Sequence, residues 1–125
     1  MLRLAPLLVL VGAVAALAAC SPPSGEPITL IPGGDSDRGR AAIERIGCGA
    51  CHTIPGVPGA SGVAGPPLIG IGRRTFIAGT LANTPSNMER WLEAPQAVLP
   101  GNAMPNMEID DHDARDVAAY LYTLR

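Results

Sequence analysis

The chain has 125 residues, 47% of them hydrophobic and only 3% aromatic, which fits one folded domain and excludes bulk disorder. The formal net charge is −2, and arginine supplies all nine cations, a balance that argues against a nucleic-acid partner. Fifteen glycines, thirteen prolines and four aromatics (Phe76, Trp91, Tyr120 and Tyr122) point to a loop-rich globule with a few short helices. Its core is either marginal or completed by a group that is not protein.

The first segment reads as an address. Arg3 precedes an apolar run from Leu4 to Ala19, shorter than the roughly 20 residues that a spanning helix needs and suited to the h-region of a secretory signal. The run ends in Leu17-Ala18-Ala19-Cys20, which resembles a bacterial lipobox. That reading makes 1–19 a lipoprotein signal peptide and Cys20 the lipidated first residue of the mature chain. Its rivals are ordinary cleavage after Ala18 and an uncleaved anchor. All three export the chain, to the periplasmic face of a bacterial membrane. Residues 20–34, rich in Pro, Gly and Ser, read as a flexible membrane tether; the alternative is an ordered arm docked through Ile28, Leu30 and Ile31. The folded domain is expected over 35–125.

Asp35 to Gly47 reads as the first helix. Asp35 or Ser36 caps it, Ala42, Ile43 and Ile46 form its apolar stripe, and Gly47 ends it. Gly39 is out of place, because glycine inside a helix costs about 1 kcal/mol against alanine.

Next comes Cys48-Gly49-Ala50-Cys51-His52. The pattern C-x-x-C-H is a c-type haem attachment signature. The two thiols add across the haem vinyl groups, two small residues bring both sulfurs to one edge of the ring, and the histidine is held under the iron. A zinc site would have to draw on Cys48, Cys51, His52 and His112, and it lacks paired spacing on the second side. A thioredoxin-like dithiol needs a βαβ context, and no β-rich run flanks this one.

A haem motif requires a sixth ligand, an acceptor for the histidine and cover for the ring. Thr53 to Ala64 is a Gly/Pro loop, followed by Gly65-Pro66-Pro67-Leu68 and Gly70-Ile71-Gly72-Arg73. Thr84 to Pro95 reads as a second helix, capped by Thr84 or Ser86, with Met88, Trp91 and Leu92 on one face. The next loop carries Pro100-Gly101-Asn102-Ala103-Met104 and, just beyond, Met107. Either thioether is a soft, neutral ligand of the kind that raises a haem potential. Asp110 caps a last helix, with Asp113 three residues on and Ala114, Val117, Ala118, Leu121 and Leu124 at helical spacing. His112, the only other histidine, would have to leave the start of that helix to reach an iron.

From about Asp35 to Arg125 this order of motifs resembles the class I cytochromes c. The resemblance implies an all-α fold of three to five short helices around one covalent haem c. It makes His52 and Met104 the iron ligands, Cys48 and Cys51 the thioether sites, and the Pro66 carbonyl the acceptor for His52 Nδ1. It also places Leu68 and Trp91 against the ring, Arg73 (or its neighbour Arg74) and Asn102 at the propionates, and Gly39 at a close crossing with Tyr120 of the last helix. Gly79 to Met104 looks closest to the cytochrome c domain fused to subunit II of bacterial haem–copper oxidases. The lysine ring of the mitochondrial members is missing, and so is the tryptophan that often precedes the second helix.

The function implied is single-electron transfer in a bacterial respiratory chain, with no catalysis by the chain alone. A haem–copper oxidase and a quinol-oxidising complex are the expected partners, and Cys20 is the expected membrane anchor. The competing class is a haem-based sensor or peroxidatic enzyme with an open sixth position.

Overall fold

The structure is a computed structural model and describes residues 31–125. The signal-peptide and Cys20 lipidation readings lie outside the described residues, as do Ile28 and Leu30. The elements in order are α1 (Ser36–Ile46), a 3-10 turn at Cys48–Ala50, a second at Ile71–Arg73, a small hairpin of β1 (Phe76–Ile77) and β2 (Leu81–Ala82), then α2 (Pro85–Glu93), α3 (Pro95–Val98) and α4 (Asp111–Thr123). Among the described residues no helix is long and apolar enough to cross a membrane.

Each of the three longer helices starts on a side-chain cap. Asp35 accepts from the Arg38 N–H (2.8 Å), Thr84 from the Asn87 N–H (3.3 Å) and Asp110 from the Asp113 N–H (2.8 Å), each cap contributing about 1 kcal/mol. Gly47 ends α1 in the left-handed region, at φ 85°, with its N–H on the Ile43 carbonyl, a conformation that glycine adopts without a Cβ penalty. Pro85 opens α2 at a position where its missing N–H is not needed.

The helix pair α1 and α4 forms the main contact of the fold, and α2 also packs on α4. A Cβ on Gly39 would overlap the Asp116 carbonyl and lie 3.1 Å from the Tyr120 Cβ. The crossing is therefore as tight as the family resemblance implies, but its closest point is the Asp116 backbone, with Tyr120 beside it. Around this crossing Ile43, Ile54, Met88, Leu92, Ile109, Val117 and Leu121 make the buried core.

Two tyrosines tie α4 to the loops. Tyr120 donates its hydroxyl to the Pro55 carbonyl (2.6 Å), and Tyr122 donates to Asn83 Oδ1 (2.8 Å). Asn83 in turn donates to the carbonyls of Ile71 and Arg74. These bonds fix the two ends of the segment 53–83 that crosses the site.

The domain starts earlier than Asp35. Ile31 is fully buried, and the Gly34 N–H bonds back to its carbonyl at 3.1 Å. At least 31–34 belongs to the packed body rather than to a tether, because an apolar side chain set against α4 is worth more buried than in water.

Candidate haem site

The first half of the site is built by the chain turning sharply after α1. The Cys48 carbonyl accepts from the N–H groups of both Cys51 (3.3 Å) and His52 (3.1 Å), so the pentapeptide folds over one carbonyl and presents its three reactive side chains from a single turn. Both thiols are free; Cys48 is half-buried and Cys51 exposed. Burial pushes the Cys48 thiol above its ordinary value. That is the reverse of the lowered pKa that activates a catalytic dithiol.

The His52 ring is fixed from two directions. Its Nδ1 donates to the Pro66 carbonyl at 2.7 Å. A carbonyl oxygen only accepts, so Nδ1 is the donor and Nε2 is the nitrogen left to bind a metal. From the side, Gly65 lies against the ring; a Cβ there would overlap Cε1 and stand 2.7 Å from Nδ1. The segment is held in turn by the Gly65 N–H on the Cys51 carbonyl (2.8 Å) and the Leu68 N–H on the Thr53 carbonyl (2.9 Å). Leu68 is half-buried against the core.

The second half is the loop after α3. Met104 is half-buried and packs on the core, as do Met107, Trp91 and Leu68. Side chains grip its backbone on both sides. The Met104 N–H donates to Asn102 Oδ1 (2.7 Å), and its carbonyl accepts from Gln96 Nε2 (2.7 Å).

Asn102 departs from the propionate role that the resemblance gave it. Its two amide hydrogens go to the carbonyls of Pro95 (2.9 Å) and Leu99 (2.7 Å), so it has no donor left and serves to order the loop. The two arginines also divide. Arg74 is half-buried and donates to the Pro67 and Ile69 carbonyls, bracing the segment that carries Pro66. Arg73 is exposed, and its side chain makes no hydrogen bond or ion pair among the described residues, which leaves its guanidinium available for a carboxylate. His112 lies on α4 with its Nδ1 3.6 Å from Asp116 Oδ2. Among the described residues no three His, Cys, Asp or Glu side chains gather as a metal cluster.

Sequence reasoning passed over Gly65, Gln96 and Asp116. Gly65 precedes Pro66 in the quoted motif and could have been weighed as a close-approach glycine. Gln96 follows a proline and had no pattern to mark it. Asp116, only 2% exposed, receives the fork of Arg38 (Nε to Oδ2 2.7 Å, Nη2 to Oδ1 2.9 Å) and the Asp35 N–H (2.8 Å). In the sequence it is one more acid on a helix.

The donor set suits a covalently attached haem. Two free thiols stand on one turn with an imidazole whose Nδ1 is engaged by Pro66, and a thioether sits in a braced loop among apolar side chains. The family described as Cytochrome c matches residues 36–125. Cytochrome c oxidase subunit 2 of Alkalihalophilus pseudofirmus is 35% identical over 91 residues, which cover 72% of this chain and 26% of that protein. The chain thus spans about a quarter of that relative's length. Among solved structures, cytochrome c2 of Rhodobacter sphaeroides superposes with a TM-score of 0.55 at 22% identity, over 73% of this chain and 96% of that one. This likeness is one of fold.

Proposed function

Because the chain belongs to the cytochrome c family, and so binds haem c covalently, we propose that it is a one-electron carrier of a bacterial respiratory chain. In this reading His52 and Met104 are the axial ligands, and Cys48 and Cys51 carry the thioethers. The bound haem supplies a single reversible electron couple. The protein's part is to hold both ligands still and keep water away. The observation that carries the reading is the separate fixing of two donors, His52 by Pro66 and Gly65, and Met104 by Asn102 and Gln96. Ligands that do not move between oxidation states keep reorganisation small. A sensing or peroxidatic role would instead need a free coordination position. Leu68 and Trp91 would cover the bound ring, and Arg73 would pair with a propionate.

The chain would be anchored at the periplasmic face of a bacterial membrane through lipid on Cys20. It would take electrons from a quinol-oxidising complex and deliver them to a haem–copper oxidase, catalysing nothing alone. Support for the oxidase comes from the relative whose printed name is that of an oxidase subunit. With eleven acids, nine arginines and no lysine, docking would rest on apolar and arginine contacts, with a shallow dependence on salt. The test is stopped-flow oxidation of the reduced holoprotein by a bacterial haem–copper oxidase at rising ionic strength. Fast oxidation that changes little with salt is expected; failure to be oxidised removes the oxidase as partner, and a steep fall with salt refutes the docking mode.

A further inference from the structure

The loop from Pro95 to Asn106 carries Met104 and contains almost no regular structure beyond α3. It is nevertheless tied together by one side chain. Gln96 Nε2 donates to the carbonyls of Asn102 (2.9 Å) and Met104 (2.7 Å), Gln96 Oε1 accepts from the Gly101 N–H (3.2 Å), and the Gln96 N–H donates to Asn106 Oδ1 (3.3 Å). The Gln96 carboxamide therefore holds the backbone at Gly101, Asn102 and Met104 itself, and the Gln96 N–H holds the Asn106 side chain beyond it. The position of Gln96 is set by α3, which is rooted in the core through buried Pro95.

We propose that Gln96 is a positioning residue for the sixth ligand: its carboxamide holds the Met104 loop closed, so that the thioether stays on the iron. The proposal rests on the assignment of Met104 as axial ligand. Asn102 completes the clamp by taking the Met104 N–H while its own amide is fixed on Pro95 and Leu99. Asn102 organises the turn locally, whereas Gln96 ties that turn to α3. Without the Gln96 donors, the carbonyls of Asn102 and Met104 would turn to water and the loop would open more often.

An exogenous ligand reports that opening directly, since its apparent affinity scales with the fraction of molecules whose sixth position is free. The probe is imidazole, titrated into the ferric holoprotein and followed by absorbance. Gln96→Glu keeps the shape and the acceptor but loses both Nε2 donors; Gln96→Ala loses everything. Both are expected to bind imidazole about tenfold more tightly than wild type, the scale of one or two lost hydrogen bonds, and to weaken the far-red band of methionine-to-ferric-iron ligation. Asp35→Ala, which removes the N-cap of α1, should lower thermal stability without moving imidazole affinity. Wild-type affinity in both Gln96 variants, with Met104→Ala having lost the band, overturns the clamp and leaves the ligand assignment standing. An equal rise in affinity for Asp35→Ala reduces the effect to general loosening and overturns the clamp too. Retention of the band in Met104→Ala overturns the ligand assignment and the clamp together.

Discussion

His52 illustrates how much of a site one short motif can specify and where it stops. C-x-x-C-H names the thiols and the imidazole, and the Gly-Pro-Pro-Leu run downstream supplies the Pro66 acceptor at 2.7 Å. What the motif does not express is the approach of Gly65 to the ring, which depends on how the two segments pack and becomes visible only in three dimensions. A methyl group at that position would have to push the imidazole aside or move the backbone, at a cost of about 1–3 kcal/mol. Gly65→Ala should accordingly lower the thermal midpoint of the holoprotein and perturb its Soret and visible spectrum. An unchanged spectrum and midpoint would mean that the ring is not confined as described. Gln96 and Asn102 were illegible for the same reason. Their partners are main-chain groups, which leave no trace in residue type.

At the scale of elements, α1, α2 and α4 were legible because each joins a cap residue to an apolar stripe over nine or more positions. The rest of the secondary structure is too short to carry a period. α3 has four residues, and each strand of the hairpin has two. The hairpin turn also lacks the Asn-Gly or Asp-Gly pair that advertises such turns. Ala78 (φ 51°) and Gly79 (φ 74°) occupy the left-handed positions instead. The α1/α4 crossing conceals a further feature. The hydrogen-bonding fork of Arg38, more than any other influence, holds the Asp116 carboxyl below the usual carboxylate range, with the Asp35 N–H adding to it and burial opposing it. A depressed carboxylate stabilises the fold above its unfolded value of about 3.9, and that contribution is lost as pH falls below it. His112 on α4 also faces Asp116, and Asp35 of the α1 cap lies beside Arg38. Asp116→Asn should therefore lower the unfolding midpoint by several degrees near neutral pH, with the gap to wild type closing as pH drops below about 4. A gap that stays constant into acid would show that the charge of Asp116 contributes nothing.

For the whole molecule, the shortage of aromatics keeps its meaning after the fold is known. The buried core is made of isoleucine, valine, leucine, alanine and methionine around Tyr120 and Tyr122, while Trp91, Leu68, Met104 and Met107 stay only half-covered. These half-covered side chains are the ones expected to face a haem, and a domain this small buries too little surface of its own to spare that contact. A group that binds only the folded chain shifts the equilibrium toward it. The chain produced without haem attachment should thus give the far-ultraviolet circular dichroism of a largely unfolded protein. A cooperative thermal transition with full helix content in that form would mean that the polypeptide core is sufficient. Ile31 sits in a Pro/Gly-rich stretch that looks like linker, yet its side chain is fully buried, a contact that composition does not reveal.

In the proposed carrier, His52 and Met104 hold one iron between them. This ligation is tested most directly by the far-red absorption band of the ferric holoprotein, compared among wild type, Met104→Ala and Met107→Ala. The band should be present in wild type, absent in Met104→Ala and retained in Met107→Ala. Its absence from wild type, or its loss with Met107 in place of Met104, would rule out Met104 as the sixth ligand.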